Sequence, residues 1–362
     1  MPHADGRRHT LADLYHERTE FDFLHRMWRW ALVSGIALAI GLIAFFARGG
    51  LNFGIDFTGG TAFQVTVTNT SPNAGAIRDV VANAGVPDAK IVIVGGKTVR
   101  IQTKDLSATE QQQVRDAIAK YAGVSAATVS VTDVSPTWGQ QVSGKAWRAL
   151  LVFFVVITLY LAIRFEFKMA IAAIVAVIHD ILITVGVYAL TGFEVTPATV
   201  VAFLTILGFS LYDTVVVFDK IKENEPSLGQ IKGETYSDMA NRSLNQVLMR
   251  SINTSFVALL PVASLLVVGV WFMGAITLRD FGLALFVGLL SGAYSSIFVA
   301  APVLVWWKER EPRNRNLAER ASARAPKVAA AVPTGGDVPL DAIPAATVAP
   351  KPRKPKDRKK RR

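Results

Sequence analysis

Cysteine is missing from all 362 residues. Its absence removes a disulfide framework, a thiol nucleophile and any cysteine-based metal site. Histidine is scarce as well. The five occur at positions 3, 9, 16, 25 and 179, with no HExxH or similar ligand spacing. Neither a metal nor a cofactor is expected, and no set of side chains reads as catalytic. One false likeness needs dismissal. Gly96-Lys97-Thr98 ends like a phosphate-binding loop, but Ile91 stands where that loop needs a glycine, and a strand pattern follows instead of a helix. Nucleotide hydrolysis has no support, and the chain is expected not to be an enzyme.

Charge is also thin over most of the chain. The net is +11 overall, yet residues 308–362 alone carry 16 Lys or Arg against 6 Asp or Glu, a net of +10. The basicity therefore belongs to a tail rich in Ala and Pro, which is expected to be disordered and to lie in the cytoplasm. Contact of that tail with anionic membrane lipid is one expectation, plain solubility and topology the other. Nucleic acid is not expected as a partner.

What is abundant is long apolar sequence: 51% of residues are hydrophobic and the mean hydropathy is +0.35. Runs at 28–47, 149–163, 169–190, 197–218, 252–273 and 281–307 each extend for roughly 15 to 27 residues, where about 20 helical residues cross ~30 Å of hydrocarbon. Six spans are expected, the second starting near Val142. The first is longer than a signal-peptide core and lacks a small-residue cleavage site, so it reads as a retained anchor. Arg7, Arg8, Arg18 and Arg26 precede it. Arg164 and Lys168 separate spans two and three, and Lys220, Lys222, Lys232, Arg242 and Arg250 separate spans four and five. By the positive-inside rule these connections and both termini face the cytoplasm. The organisation is then an N-terminal segment 1–26, a first span 27–48, an extracytoplasmic segment 49–141, spans two to six over 142–307, and the tail 308–362.

The segment between spans one and two has a readable order. Residues 61–68 alternate as a strand, and 73–83 form a helix stopped by Gly85. Residues 90–94 and 98–103 make a hairpin across Gly95-Gly96. Ser107 and Glu110 form a capping box for a helix running to Tyr121 and stopped by Gly123, and 128–134 is a last strand. The order βαββαβ is the ferredoxin-like arrangement, which by itself indicates no activity.

Three motifs stand at the joints of this layout: Gly54-Ile55-Asp56-Phe57-Thr58-Gly59-Gly60 after span one, Gly208 to Asn224 at the end of span four, and Asn245 to Ser251 before span five. With His179-Asp180 inside span three, they resemble the signatures of the SecF family, over about residues 28–307 and in the family's order. Tyr212 stands where that family often has Asn, and Lys220 and Lys222 where Arg is commoner. The resemblance implies half of an RND-type unit: a membrane α-helical fold of six spans with one periplasmic ferredoxin-like domain. It implies a SecD partner, the SecY channel complex and a translocating preprotein, in the bacterial inner membrane, with the proton-motive force as driver. Two other readings are an RND-type exporter half for a lipid or small molecule, which needs a second half or a substrate cleft, and a passive scaffold.

Ionisable groups inside spans are costly and by default line a bundle interior or a water path. Asp213 is the expected proton carrier, against a static hydrogen-bonding role. Asp180 and His179 either share its path or anchor two helices as a satisfied pair. The family pattern makes Arg250 the expected partner of Asp213, against a mere topology marker. Gly54, Asp56, Gly59 and Gly60 are read as a turn coupling membrane to domain, or else as a tight juxtamembrane turn. Ala284, Gly288, Gly292, Ser296 and Ala300 recur every four residues as a small-residue packing face.

Overall fold

A computed structural model describes residues 21–67, 71–231, 233–272 and 275–330. Arg7, Arg8, Arg18, Thr68, Lys232, Met273, Gly274 and the tail beyond Ala330 lie outside the described residues.

The chain enters helix α1 at Met27–Ala47, and strand β1 (Asn52–Phe53) follows. The one-turn helix α2 (Ile55–Thr58) leads into β2 (Gly60–Thr66). Then come α3 (Ala74–Asn83), the hairpin β3 (Lys90–Val94) and β4 (Thr98–Thr103), α4 (Ala108–Ala122) and β5 (Ser130–Val134). Local chemistry sets these limits. Asn73 caps α3 through its side chain, Ser107 and Glu110 complete the capping box of α4, and Gly123 closes α4 in the left-handed conformation at φ 67°. The sheet runs β3-β4-β2-β5 with every pair antiparallel, which is the ferredoxin-like order.

Alternation along the strands gives the sheet two different faces. Phe63, Val65, Val99 and Ile101 join Ile77, Val81, Val114 and Ile118 of α3 and α4 in one buried core. The other face carries Ala62, Lys90, Val92, Arg100 and Gln102 and has no helix of its own; it rests on the membrane region. There Ala62 and Val134 pack on Ile55, while Val92 and Val94 meet Leu266 and Val270.

Helix α5 (Pro136–Arg164) is the second span. It starts earlier than Val142, because Ser135 caps it and Pro136 occupies its first turn, where no N–H is needed. Next come α6 (Phe167–Thr191), β6 (Glu194–Val195), α7 (Pro197–Asn224) and α8 (Tyr236–Ser264). A π-helical turn at Leu265–Phe272 continues α8 just after Pro261, whose missing N–H breaks the regular ladder. Helix α9 (Ile276–Ser295) passes through a second π turn, Ser296–Ala300, into α10 (Ala301–Lys308). Six helical stretches among the described residues are long and apolar enough to cross a membrane. The third, fourth and sixth are about half buried (50%, 44% and 56%), against 11% for each of the others, so α6, α7 and α9–α10 are the centre.

The tail begins differently from expectation. Pro312–Ala330 is a helix, α11, not irregular chain. Ala and Arg are strong helix formers, and Leu317 packs against the hydrophobic cluster at the basic end of the bundle. Lys168–Glu311 (2.8 Å), Lys308–Glu166 (2.6 Å) and Lys308–Glu225 (3.2 Å) tie the spans together just before it.

Candidate functional site: two carboxylates held by serines

The centre of the bundle holds two buried acids on neighbouring helices. Asp180 of α6 is fully buried and Asp213 of α7 is 2% exposed. Asp180 is surrounded by hydroxyl donors. Ser210 (2.5 Å) and Ser295 (2.7 Å) donate to Oδ2, and Ser291 donates to Oδ1 (2.6 Å). His179 Nδ1 lies 3.2 Å from the same Oδ1. Asp213 accepts from Ser251 at Oδ1 (2.8 Å) and from Ser296 at Oδ2. Donors of this kind are what a carboxylate needs when it leaves water.

Two features of span six make this arrangement possible. A Cβ on Gly292 would stand 2.9 Å from Ser210, and one on Gly288 would strike Ile206, so only glycine allows α9 to approach α7 this closely. Ser291 and Ser295 are four apart and share a helix face, which turns both onto Asp180. Ser296 opens the π turn, and it meets Asp213 instead. Single π turns recur at functional positions because they re-aim side chains without ending the helix. Ser296 therefore does more than the packing expected of its small size.

Arg250 is placed differently. It is exposed on α8, and no hydrogen bond or ion pair joins its guanidinium to either acid; its neighbour Ser251 makes that contact. Val201, Thr205, Gly208 and Tyr212 form an exposed stripe along α7, on the helix that carries Asp213. His179 is buried, its Nε2 has no partner among the described residues, and its ring stacks on Tyr294 at 6.1 Å.

The glycine-rich turn is a compact joint. Gly54 precedes α2, and Gly59 (φ 77°) and Gly60 (φ 132°) leave it through conformations that other residues rarely adopt. A Cβ on Gly59 would sit 2.8 Å from Pro136, and one on Gly60 would collide with the Thr103 carbonyl. The turn thus wedges between the sheet and the start of α5. Strand β1 pairs in parallel with β6, Asn52 opposite Glu194, and Gly54 N–H donates to Val195 O (2.9 Å). Asp56 is partly buried. Burial pushes its carboxyl above the ordinary range, Arg100 opposes that shift, and Glu194 adds to it.

At the basic end the last residue of the second motif and the first two of the third join Asn241 and Ser243 in a hydrogen-bond network. Asn241 and Asn245 hold the main chain at Phe21 and Phe23, with Phe21 N–H donating to Asn245 Oδ1 (2.8 Å) and Phe23 N–H to Asn241 Oδ1 (2.8 Å). Asn224 joins Ser243 (2.8 Å) and Gln246 (2.9 Å).

Residues 113–310 match the family described as protein export membrane protein SecD/SecF, C-terminal, and residues 43–71 match the SecD/SecF GG motif. The chain belongs to the SecD/SecF family of protein-export membrane proteins. Among SecF relatives, the protein translocase subunit SecF of Streptomyces coelicolor is 45% identical over 313 residues, 86% of this chain and 83% of that one. The SecF of Mycobacterium tuberculosis is 42% identical over 330 residues, 88% of this chain and 74% of the relative. The crystal structure of SecDF from Thermus thermophilus superimposes with a TM-score of 0.72 at 34% identity, covering 81% of this chain and 39% of that one. The chain thus spans about two fifths of the SecDF polypeptide. Sequence reasoning located both acids but missed the donors Ser210, Ser291 and Ser295. The available signal was polar residues at helical spacing in an otherwise apolar span.

Proposed function

We propose that this chain is the SecF half of a SecD–SecF pair that uses the proton-motive force to assist preprotein passage through the Sec channel, on the domain side of a bacterial inner membrane. Its termini lie in the cytoplasm, in keeping with the Lys and Arg gathered at the end of the bundle opposite the domain. The observation that carries the reading is the pair Asp180 and Asp213. Both are buried and both are tied to span six by serine hydroxyls alone, so a proton gained or lost at either acid changes what span six is bonded to. The SecD half would cover the exposed stripe of α7 and the exposed Arg250. Driving energy is sufficient. One charge crossing 100 mV releases about 2.3 kcal/mol, and moving a two-state element from 1:99 to 99:1 takes about 5.5 kcal/mol, so a few protons per cycle serve.

The test is proton flux through the SecD–SecF complex reconstituted in vesicles under an imposed gradient. Flux that depends on Asp213 supports the reading. An assembled complex that conducts equally well with Asp213→Asn refutes it.

A further inference from the structure

Span six carries another buried acid, at its domain end. Asp280 is fully buried, yet among the described residues only one of its carboxylate oxygens is partnered. Arg279 donates to Oδ1 from Nε (3.0 Å) and Nη2 (2.9 Å), while Oδ2 has no partner among the described residues. An orphaned oxygen on a buried carboxylate is expensive and rare, and it asks for a role. Arg279 lies over the Phe193 ring at 5.0 Å. It also lines a cavity of about 540 Å³ bounded by Phe193, Val270 and the hairpin turn at 93–96. Solvent on the domain side thus comes up to the guanidinium that covers Asp280.

On the inner side, a buried polar face of α6 leads away from it. Tyr188 donates to the main-chain oxygen of Asp280 (2.5 Å), and Thr184 donates to that of Asp180 (2.8 Å). Asp180, Thr184 and Tyr188 are four apart, on one face, with a rise of about 6 Å per step. Glu194 of β6 and Arg100 of β4 are the other charged groups acting on Asp280, one from the membrane region and one from the domain.

We infer that Asp280 is the proton-uptake carboxylate on the domain side. A proton arriving through the cavity binds Oδ2 and neutralises the acid. On release it restores the carboxylate, which Arg279 balances, and it passes inward toward Asp180, the next buried acid on the route. Arg279, through the carboxylate, and Tyr188, through the main chain, are positioning residues for Asp280. The inference rests on the proton reading above, which fails separately if wild-type flux does not depend on Asp213.

The experiment uses the full complex in vesicles. Asp280→Asn should lower flux at least tenfold, Asp280→Glu should retain part of it, and Tyr188→Phe should lower it severalfold. The complex should remain assembled by size-exclusion chromatography. Wild-type flux in an assembled Asp280→Asn complex, alongside loss in Asp213→Asn, overturns the uptake role and leaves the proton reading standing. A second measurement needs no substitution. Dicyclohexylcarbodiimide attacks protonated carboxyls, so mass spectrometry should find Asp280 modified, and modification should fall as the pH on the domain side is raised. Absence of modification, or modification that follows only the pH of the opposite side, overturns the assignment.

Discussion

Lys90 reaches out of the domain to Glu194 of the membrane region, its Nζ 3.5 Å from Glu194 Oε1 and 2.7 Å from Asn52 Oδ1. Asn52 in turn donates to Gly192 O (2.8 Å). Glu194 lies just before Thr196, which caps α7, the helix of Asp213. One side chain on a sheet edge therefore touches both strands at the root of that helix. Lys90→Met removes the cation and keeps most of the stem. The change should cost about 1 kcal/mol and speed amide exchange several-fold in β1 and β6, leaving the core strand β2 unaffected. Hydrogen exchange on the solubilised complex checks this; unaltered exchange would show that the contact holds nothing.

Asp213→Asn preserves shape and can still accept from one of Ser251 and Ser296 through its single oxygen, while its amide nitrogen donates to the other hydroxyl. Proton flux should drop by at least tenfold with the complex intact, and Asp213→Glu should recover part of it. Ser296→Ala should reduce flux more than Ser251→Ala, because Ser296 alone connects Asp213 to span six. Loss of the assembled complex in Asp213→Asn would instead assign the acid a structural task.

Packing at the glycines should be intolerant. Gly292→Val sets branched carbon against Ser210, where even a Cβ stands at 2.9 Å. Overpacking of a filled interior costs about 1–3 kcal/mol. The melting temperature in detergent should fall by several degrees, and flux should fall with it. Gly35→Val provides the control, since a Cβ there meets nothing within 4 Å.

Asp56 makes stability depend on pH in a stated direction. Its carboxyl is raised by burial, so the folded protein holds that proton more tightly than the unfolded chain does. Stability is then highest below the ordinary carboxylate value and declines as pH rises through the raised one. Asp56→Asn should accordingly melt higher than wild type at pH 7, with the advantage vanishing near pH 4. Thermal scans of the complex at both pH values decide it; a lower melting point for Asp56→Asn at pH 7 would mean that the ionised group is stabilised instead.

The sequence alone determined the span count, the βαββαβ order and the two acids at depth. Each of these is written in local terms: a run of about 20 apolar residues, alternation at period two, a cap such as Ser107 with Glu110, or a charge where the solvent is lipid. Tertiary structure alone decided which groups those acids meet. Ser291, Ser295 and Ser296 lie more than eighty residues from their carboxylates. Their approach depends on glycines that bring two helices together and on a π turn that no periodicity announces. Arg250 shows the converse. The family pattern makes it the expected partner of Asp213, but it stands exposed on α8 and Ser251 beside it meets the acid instead. The start of the tail reads as polar and irregular, yet it folds as α11 because Leu317 finds an apolar surface built from distant spans. Local propensity selects the elements; the crossing of helices selects their partners.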